Sequence, residues 1–175
     1  MRIRMLVSLL CLVALAQSQL AWSEGAGFRR WSPVVSNLED TIHLYTDILG
    51  FELGEVSTDP PESYVYKVFN VPPGVVTRHA VFHDGDQKRV LSIVEIPGLT
   101  PQETEGVRRS LTLFNARGRF DAIVKMLKAD GYETLPPQAL GSSGIEMGFF
   151  DRDGHLYALY EIPYQGSYLT KDGKP

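Results

Sequence analysis

Cysteine is nearly absent from this 175-residue chain. The single one, Cys11, sits inside an N-terminal apolar run, so the rest of the chain can form no disulfide framework, thiolate metal site or cysteine nucleophile. Runs of lysine and arginine are absent too, and the formal net charge is −4. A mildly acidic chain without a basic stripe offers no electrostatic footprint for nucleic acid or an anionic membrane, which leaves a small molecule as the expected partner. Also missing are a Gly-rich phosphate loop, a dinucleotide fingerprint and a nucleophile elbow. Asp151-Arg152-Asp153-Gly154 opens like a calcium loop, yet Ile162 stands where its twelfth-position glutamate would be.

What is present begins with a leader-like layout. Arg2 and Arg4 precede the apolar run 5–16, which is too short to cross ~30 Å of hydrocarbon, and small residues follow it. Ala14-Leu15-Ala16 and Ala21-Trp22-Ser23 both satisfy the small-x-small cleavage rule. The second is preferred, because Glu24 opens a polar, glycine-containing stretch. Residues 1–23 are then a signal peptide, and 24–175 are a single domain that works in the periplasm or outside the cell, with no membrane span left after cleavage. Losing Arg2 and Arg4 makes the chain more acidic still. A domain of that length buries close to ~70% of its unfolded surface and needs no covalent staple.

Two stretches carry helical periodicity. Asn37 offers an N-cap, and Leu38, Ile42, Tyr45 and Leu49 fall on one face before Gly50, which predicts a helix over 38–49. Phe120, Ile123, Val124 and Leu127 before Gly131 predict a second over 119–130. A β-prone stretch precedes each, 28–36 and 110–114, and Pro33 in the first suits an edge strand or a bulge. The halves match further on. Leu49-Gly50-Phe51-Glu52-Leu53 resembles Asp130-Gly131-Tyr132-Glu133-Thr134 at an offset of 81, and Leu91 to Pro97 resembles Tyr157 to Pro163 at an offset of 66. That is the pattern of an internal duplication whose first copy carries about 15 extra residues. They are placed at 57–77, a stretch with four prolines and the apolar patch 64–71. Further strands are expected at 51–56, 78–83 and 90–96, and at 132–135, 145–150 and 156–162. The fold class is α+β: tandem βαβββ modules, about 27–97 and 107–164, forming a curved mixed sheet with a helix per module on one side and a central pocket on the other.

Val35-Ser36-Asn37-Leu38-Glu39-Asp40-Thr41 leads into Tyr45-Thr46-Asp47-Ile48-Leu49-Gly50-Phe51, a strand meeting a helix that ends aromatic-x-x-x-Leu-Gly-Phe. Phe149-Phe150-Asp151-Arg152-Asp153-Gly154 forms an aromatic-x-Asp-x-Asp-Gly turn. Both resemble the glyoxalase-like vicinal-oxygen-chelate superfamily, which includes glyoxalase I, bleomycin-resistance proteins and extradiol dioxygenases. The resemblance implies the tandem fold, and in the enzymes a divalent metal held by one His, Gln or Glu on the first and last strand of each module. It does not fix the function, because the scaffold hosts lyases, isomerases, oxygenases and plain binding proteins.

Carried onto this chain, the implied ligand positions fall near Arg30, Ser92, Arg109 and Ala158. Arginine keeps its proton, alanine has no donor atom and a lone serine hydroxyl is a poor ligand, so neither a metal nor another cofactor is expected. Glu95 and Glu161 lie three residues beyond Ser92 and Ala158, an odd offset that points them to the opposite face. The candidate site is therefore one that binds a small molecule: Arg30 and Arg109 as two guanidinium forks for a carboxylate or phosphate, with His79, Ser92 and Tyr160 beside them. The alternative for the arginines is a structural ion pair or a solvent-facing register. Catalytic residues are not assigned. Two other readings compete: a metal-dependent lyase or dioxygenase with a site relocated to His79 and His83, and a protein-interaction module that uses 57–77. Pairing of the modules within one chain or by exchange in a homodimer stays open.

Overall fold

The protein is described by a computed structural model over residues 28–168; the expected signal peptide lies outside the described residues. The first module runs β1 (Val34–Val35), α1 (Leu38–His43) with a π-helical continuation (Leu44–Leu49), β2 (Glu52–Thr58), a one-turn helix α2 (Val65–Val68), β3 (Arg78–Asp84) and β4 (Gln87–Glu95). The second runs β5 (Thr112–Asn115), α3 (Phe120–Ala129), β6 (Gln138–Leu140), β7 (Gly144–Phe150) and β8 (Leu156–Glu161). Each module makes a four-stranded mixed sheet, ordered β1-β4-β3-β2 and β5-β8-β7-β6, in which the first and last strands are parallel.

The duplication holds residue by residue along the parallel pairs. Trp31 bridges Leu91 and Thr112 pairs with Tyr157, partners that differ by the offsets of 81 and 66 read from the sequence. The strand-end glutamates repeat as well: Glu95 Oε1 accepts from the backbone N–H of Leu38 at 3.0 Å, and Glu161 Oε2 from that of Phe120 at 3.1 Å. Each thus satisfies an otherwise orphaned donor in the first turn of its module's helix. Both helices stop at a glycine in the left-handed region, Gly50 (φ +86°) and Gly131 (φ +75°), where a side chain would strain the backbone.

Two expectations need correction. Helix 38–49 changes to π geometry at Leu44, which turns Leu44 and Ile48 into the core and leaves Ile42 and Leu49 only partly buried. The strand expected at 132–135 is reduced to one bridge, Thr134 to Phe149. Pro136 and Pro137 cannot donate to a ladder, so the paired segment starts after them, at Gln138.

Both modules share one core. The fully buried Tyr45 packs on Phe82 of its own sheet (5.1 Å between ring centroids) and on Phe114 (6.1 Å) and Tyr157 (6.4 Å) of the other, and its hydroxyl donates to that of Tyr157 at 3.3 Å. The Tyr157 hydroxyl donates in turn to Asp151 Oδ2 at 2.9 Å. Arg117 forks onto Asp84 (2.6 and 2.8 Å) across the same seam. Among the described residues no helix is long and apolar enough to cross a membrane.

On the surface His43 joins the two helices, with Nδ1 2.6 Å from Asp47 and Nε2 2.7 Å from Asp130. The Asp130 contact, then the Asp47 contact, raises its pKa above the ordinary 6.5. A raised folded-state value means the clamp's contribution is complete below 6.5 and is lost as pH rises through the folded value. The melting-temperature difference between the native protein and His43→Gln is therefore expected to shrink from pH 6 to pH 9; a difference that is flat across that range contradicts the assignment.

Candidate functional site

The face of the first sheet turned away from α1 is built from the strand register. Ser57 on β2 stands opposite His79 on β3, and His79 opposite Val94 on β4; two residues along, Val81 stands opposite Ser92. Residues two apart in a strand share a face, so these side chains look the same way. Arg30 and Ser32, in the segment leading into β1, line the same hollow. The extra length of the first module folds across it. Tyr64, Val68 and Phe69, in and around α2, make the far wall of a cleft of about 470 Å³.

Asp59 anchors that wall. It is 5% exposed, its N–H donates to the Thr77 carbonyl at 3.0 Å, and its carboxylate accepts from the Thr77 hydroxyl at 2.9 Å and the Ser63 hydroxyl at 3.4 Å. His79 Nδ1 lies 3.2 Å from Asp59 Oδ1, and His79 Nε2 lies 3.3 Å from Ser57 Oγ. A buried carboxylate is tolerable only when its lone pairs are taken, and two hydroxyls and an imidazole take them. Tyr66 completes the anchor by donating its hydroxyl to the Asp59 carbonyl at 3.3 Å. The 57–77 segment therefore both packs on itself and covers the cleft.

A second arginine reaches the cleft at Arg89. Its φ of +60° lies in the left-handed region, which costs a residue with a side chain about 1 kcal/mol or more. The backbone N–H of Arg89 donates to His83 Nδ1 at 2.9 Å, which helps to hold that conformation. The arginines paired with carboxylates are Arg78, Arg117 and Arg152; among the described residues Arg30 and Arg89 have no such partner.

The structure brings Arg30, His79 and Ser92 together, and separates them from Arg109 and Tyr160. Tyr160 lines a groove of about 310 Å³ where the modules meet, beside Phe51, Asn115 and Arg117. Arg109 lies on the link between the modules, in a third hollow with Arg108 and His155. The offset of 81 puts Leu111 at the place of Arg30 and Leu113 at that of Ser32, so Arg109 is not the counterpart of Arg30 in the repeat. Arg30 shares its cleft with Arg89, within the first module. His79 and His83 do not converge: four residues apart in one strand, they are separated by about 13 Å, and each ring has its own partners. Ser57, Asp59 and Arg89 are the site residues that the sequence reading did not reach.

A sequence profile of the Glyoxalase/Bleomycin resistance protein/Dioxygenase superfamily matches residues 32–159. The chain belongs to this superfamily. Solved structures with the same fold include a glyoxalase family protein from Bacillus cereus, with a TM-score of 0.64 at 17% identity over 81% of this chain and 98% of that one. A glyoxalase family protein from Enterococcus faecalis gives 0.54 at 19% identity over 79% and 98%. The fosfomycin resistance protein FosX from Listeria monocytogenes, complexed with Mn(II) and sulfate, gives 0.50 at 20% identity over 87% and 98%. At these identities the likeness is one of fold. Among curated proteins no sequence matches.

The donors at the superfamily's metal positions do not fit a divalent cation in this member. The residues at these places are Arg30, Ser32 and Ser92 in the first module, which line its cleft, and in the second Leu113 opposite Ala158, with Leu111 two residues before Leu113. They offer serine hydroxyls and a guanidinium that cannot deprotonate, with no imidazole or carboxylate. Glu95 and Glu161, the nearest carboxylates along the strands, are committed to the helix N-termini on the opposite face. Among the described residues no group of three His, Cys, Asp or Glu is arranged to hold an ion.

Proposed function

We infer that this protein is an exported member of the superfamily that binds a small anionic molecule, a carboxylate or a phosphate, in the cleft of its first module without a metal. The observation that carries the reading is that two arginines without carboxylate partners, Arg30 and Arg89, line one cleft whose other polar groups include His79 and Ser92. Guanidinium forks match carboxylate and phosphate oxygens in two-point geometry. The strained backbone at Arg89 is the kind of feature that persists where a side chain must be aimed. An apolar wall of Tyr64, Val68 and Phe69 suits a ligand with an anionic end and a hydrocarbon body. Export rests on the charged, apolar and small-residue layout of 1–23.

Melting-temperature measurements on chelator-treated protein test the binding. A small dicarboxylate such as succinate, at a hundred times its dissociation constant, stabilises the folded state by about 2.7 kcal/mol, a shift of several degrees. Arg30→Ala abolishes the shift and Arg109→Ala leaves it intact. If Zn²⁺, Ni²⁺, Fe²⁺ or Mn²⁺ stabilises the protein instead, and His79→Ala removes that effect, a metal-dependent enzyme with a relocated site replaces this account. Intact-mass analysis of protein recovered from the periplasm or medium is expected to give a chain starting at Glu24; a species that retains Met1 contradicts export.

A further inference from the structure

Asp59, His79 and Ser57 form a continuous chain of contacts whose order carries chemical meaning. The carboxylate lies on Nδ1 of the imidazole and the serine hydroxyl on Nε2, at 3.2 and 3.3 Å. A carboxylate on Nδ1 fixes the tautomer that leaves Nε2 free to accept a proton, and a serine hydroxyl at Nε2 is the group so placed to lose one. Ser57 and Asp59 lie two residues apart at the end of β2, and the pairing of β2 with β3 brings His79 between them; such an arrangement is recognised by geometry and roles. Asp59 is buried and held by Thr77 and Ser63, which keeps its carboxylate in place. His79 is partly exposed and, with Asp59, lines the cleft. Ser57 is half-buried on the edge strand β2, reachable from that side.

A purely structural role accounts for the Asp59 to His79 contact, which ties the 59–77 segment to the sheet, but does not call for a serine on the far nitrogen. Contacts of 3.2–3.3 Å stand at the upper end of hydrogen-bond reach for a nucleophile and its base.

We propose that Ser57, His79 and Asp59 constitute a nucleophilic triad that hydrolyses small esters, with Ser57 as nucleophile, His79 as general base and acid, and Asp59 as the positioning residue. Ser57 Oγ attacks the ester carbonyl carbon as His79 Nε2 takes its proton, giving a tetrahedral oxyanion. Collapse breaks the bond to the alcohol oxygen, which receives the proton from His79 Nε2, and leaves the acyl group on Ser57 Oγ. Water then adds to the acyl carbon with its proton passing to His79, and collapse returns that proton to Ser57 Oγ. The sum is ester plus water to carboxylic acid plus alcohol, with no other reactant. The preference for esters that carry a second, anionic carboxylate rests on the binding reading given for Arg30 and Arg89; hydrolysis itself does not.

The test pairs covalent labelling with turnover. A fluorophosphonate probe is expected to label the purified protein at Ser57, as located by peptide mass spectrometry. The protein is expected to hydrolyse p-nitrophenyl acetate, and mono-p-nitrophenyl succinate more efficiently. Ser57→Ala, on a half-buried edge strand, keeps the fold by circular dichroism and loses labelling and at least about 10³-fold of the rate. Asp59→Asn, which keeps the shape of the anchor, lowers kcat with little change in KM, whereas a structural role alone would leave kcat per folded molecule unchanged. Absence of labelling and of hydrolysis above background overturns the triad, as does hydrolysis that survives Ser57→Ala. If both esters are cleaved equally and Arg89→Gly affects neither, the triad stands and the anion reading falls. If succinate stabilises the protein but neither ester is cleaved, the triad falls and the binding reading stands.

Discussion

Tyr45→Ala is expected to lower the stability of the protein by about 3–5 kcal/mol, seen as a large shift of the urea midpoint at unchanged slope. Tyr45 is fully buried at the seam of the two modules, with the rings of Phe51, Phe82, Phe114 and Tyr157 within 5.1–6.4 Å of its own. Truncation leaves a cavity bordered by both sheets, which neither can close alone because each is held by its own strand ladder. It also removes the hydroxyl that donates to Tyr157 at 3.3 Å. Tyr45→Phe separates the two contributions and is expected to cost about 1 kcal/mol. If Tyr45→Ala costs less than about 1 kcal/mol, or splits the single transition into two, the modules do not share one cooperative core.

Glu95→Gln is expected to cost about 2 kcal/mol, a figure set by a carboxylate that is mostly buried while its main partner, Arg78, is about a third exposed and so partly screened. Glu95 accepts from Arg78 Nε at 2.6 Å and Nη2 at 3.0 Å, and from the Leu38 backbone N–H at 3.0 Å. A glutamine in that place keeps the shape but loses the charge that serves both the guanidinium and the positive end of the helix. The Arg78 contact, foremost, holds the Glu95 carboxyl below its ordinary value of 4.5. A lowered folded-state value means the contribution is complete above 4.5 and is lost as pH falls through the folded value. The gap in urea stability between the native protein and Glu95→Gln should therefore be wide at pH 7 and narrow below pH 4. A gap that stays constant on acidification contradicts the assignment.

Much of the fold was legible because a duplicated sequence reports twice on the same geometry. Gly50 and Gly131, and Glu95 and Glu161, sit at equivalent helix stops and helix starts, and each member of a pair supports the reading of the other. Parity placed Glu95 on the helix side and Ser92 on the cleft side, and both lie there. The site was less legible for three physical reasons. Arg109 stands two residues short of the offset of 81, which Leu111 satisfies, and so lies on the link between the modules. Arg89 lies three residues before Ser92, an odd offset that assigns it to the wrong face; the positive φ at Arg89, next to the irregular pairing around Phe82 and Asp84, brings it back to the cleft. No hydrophobic period encodes a backbone reversal of that kind. Asp59 meets His79 through closure of the 59–77 segment, a contact between residues 20 positions apart that depends on where the loop returns to the sheet. Nothing local to Asp59 carries that information.

Calorimetric titration of succinate into chelator-dialysed protein, with Arg89→Gly titrated in parallel, decides whether Arg30 and Arg89 bind an anion in this cleft without a metal. Glycine adopts the left-handed backbone of position 89 without strain, so ligand-free Arg89→Gly should melt at the same temperature as the native protein or slightly above it, by up to about 1 kcal/mol of added stability. One-site binding to the native protein is expected with no divalent ion present, and that binding is lost in Arg89→Gly despite its intact fold. Binding that appears only after a divalent cation is restored, or that Arg89→Gly retains at native strength, contradicts it.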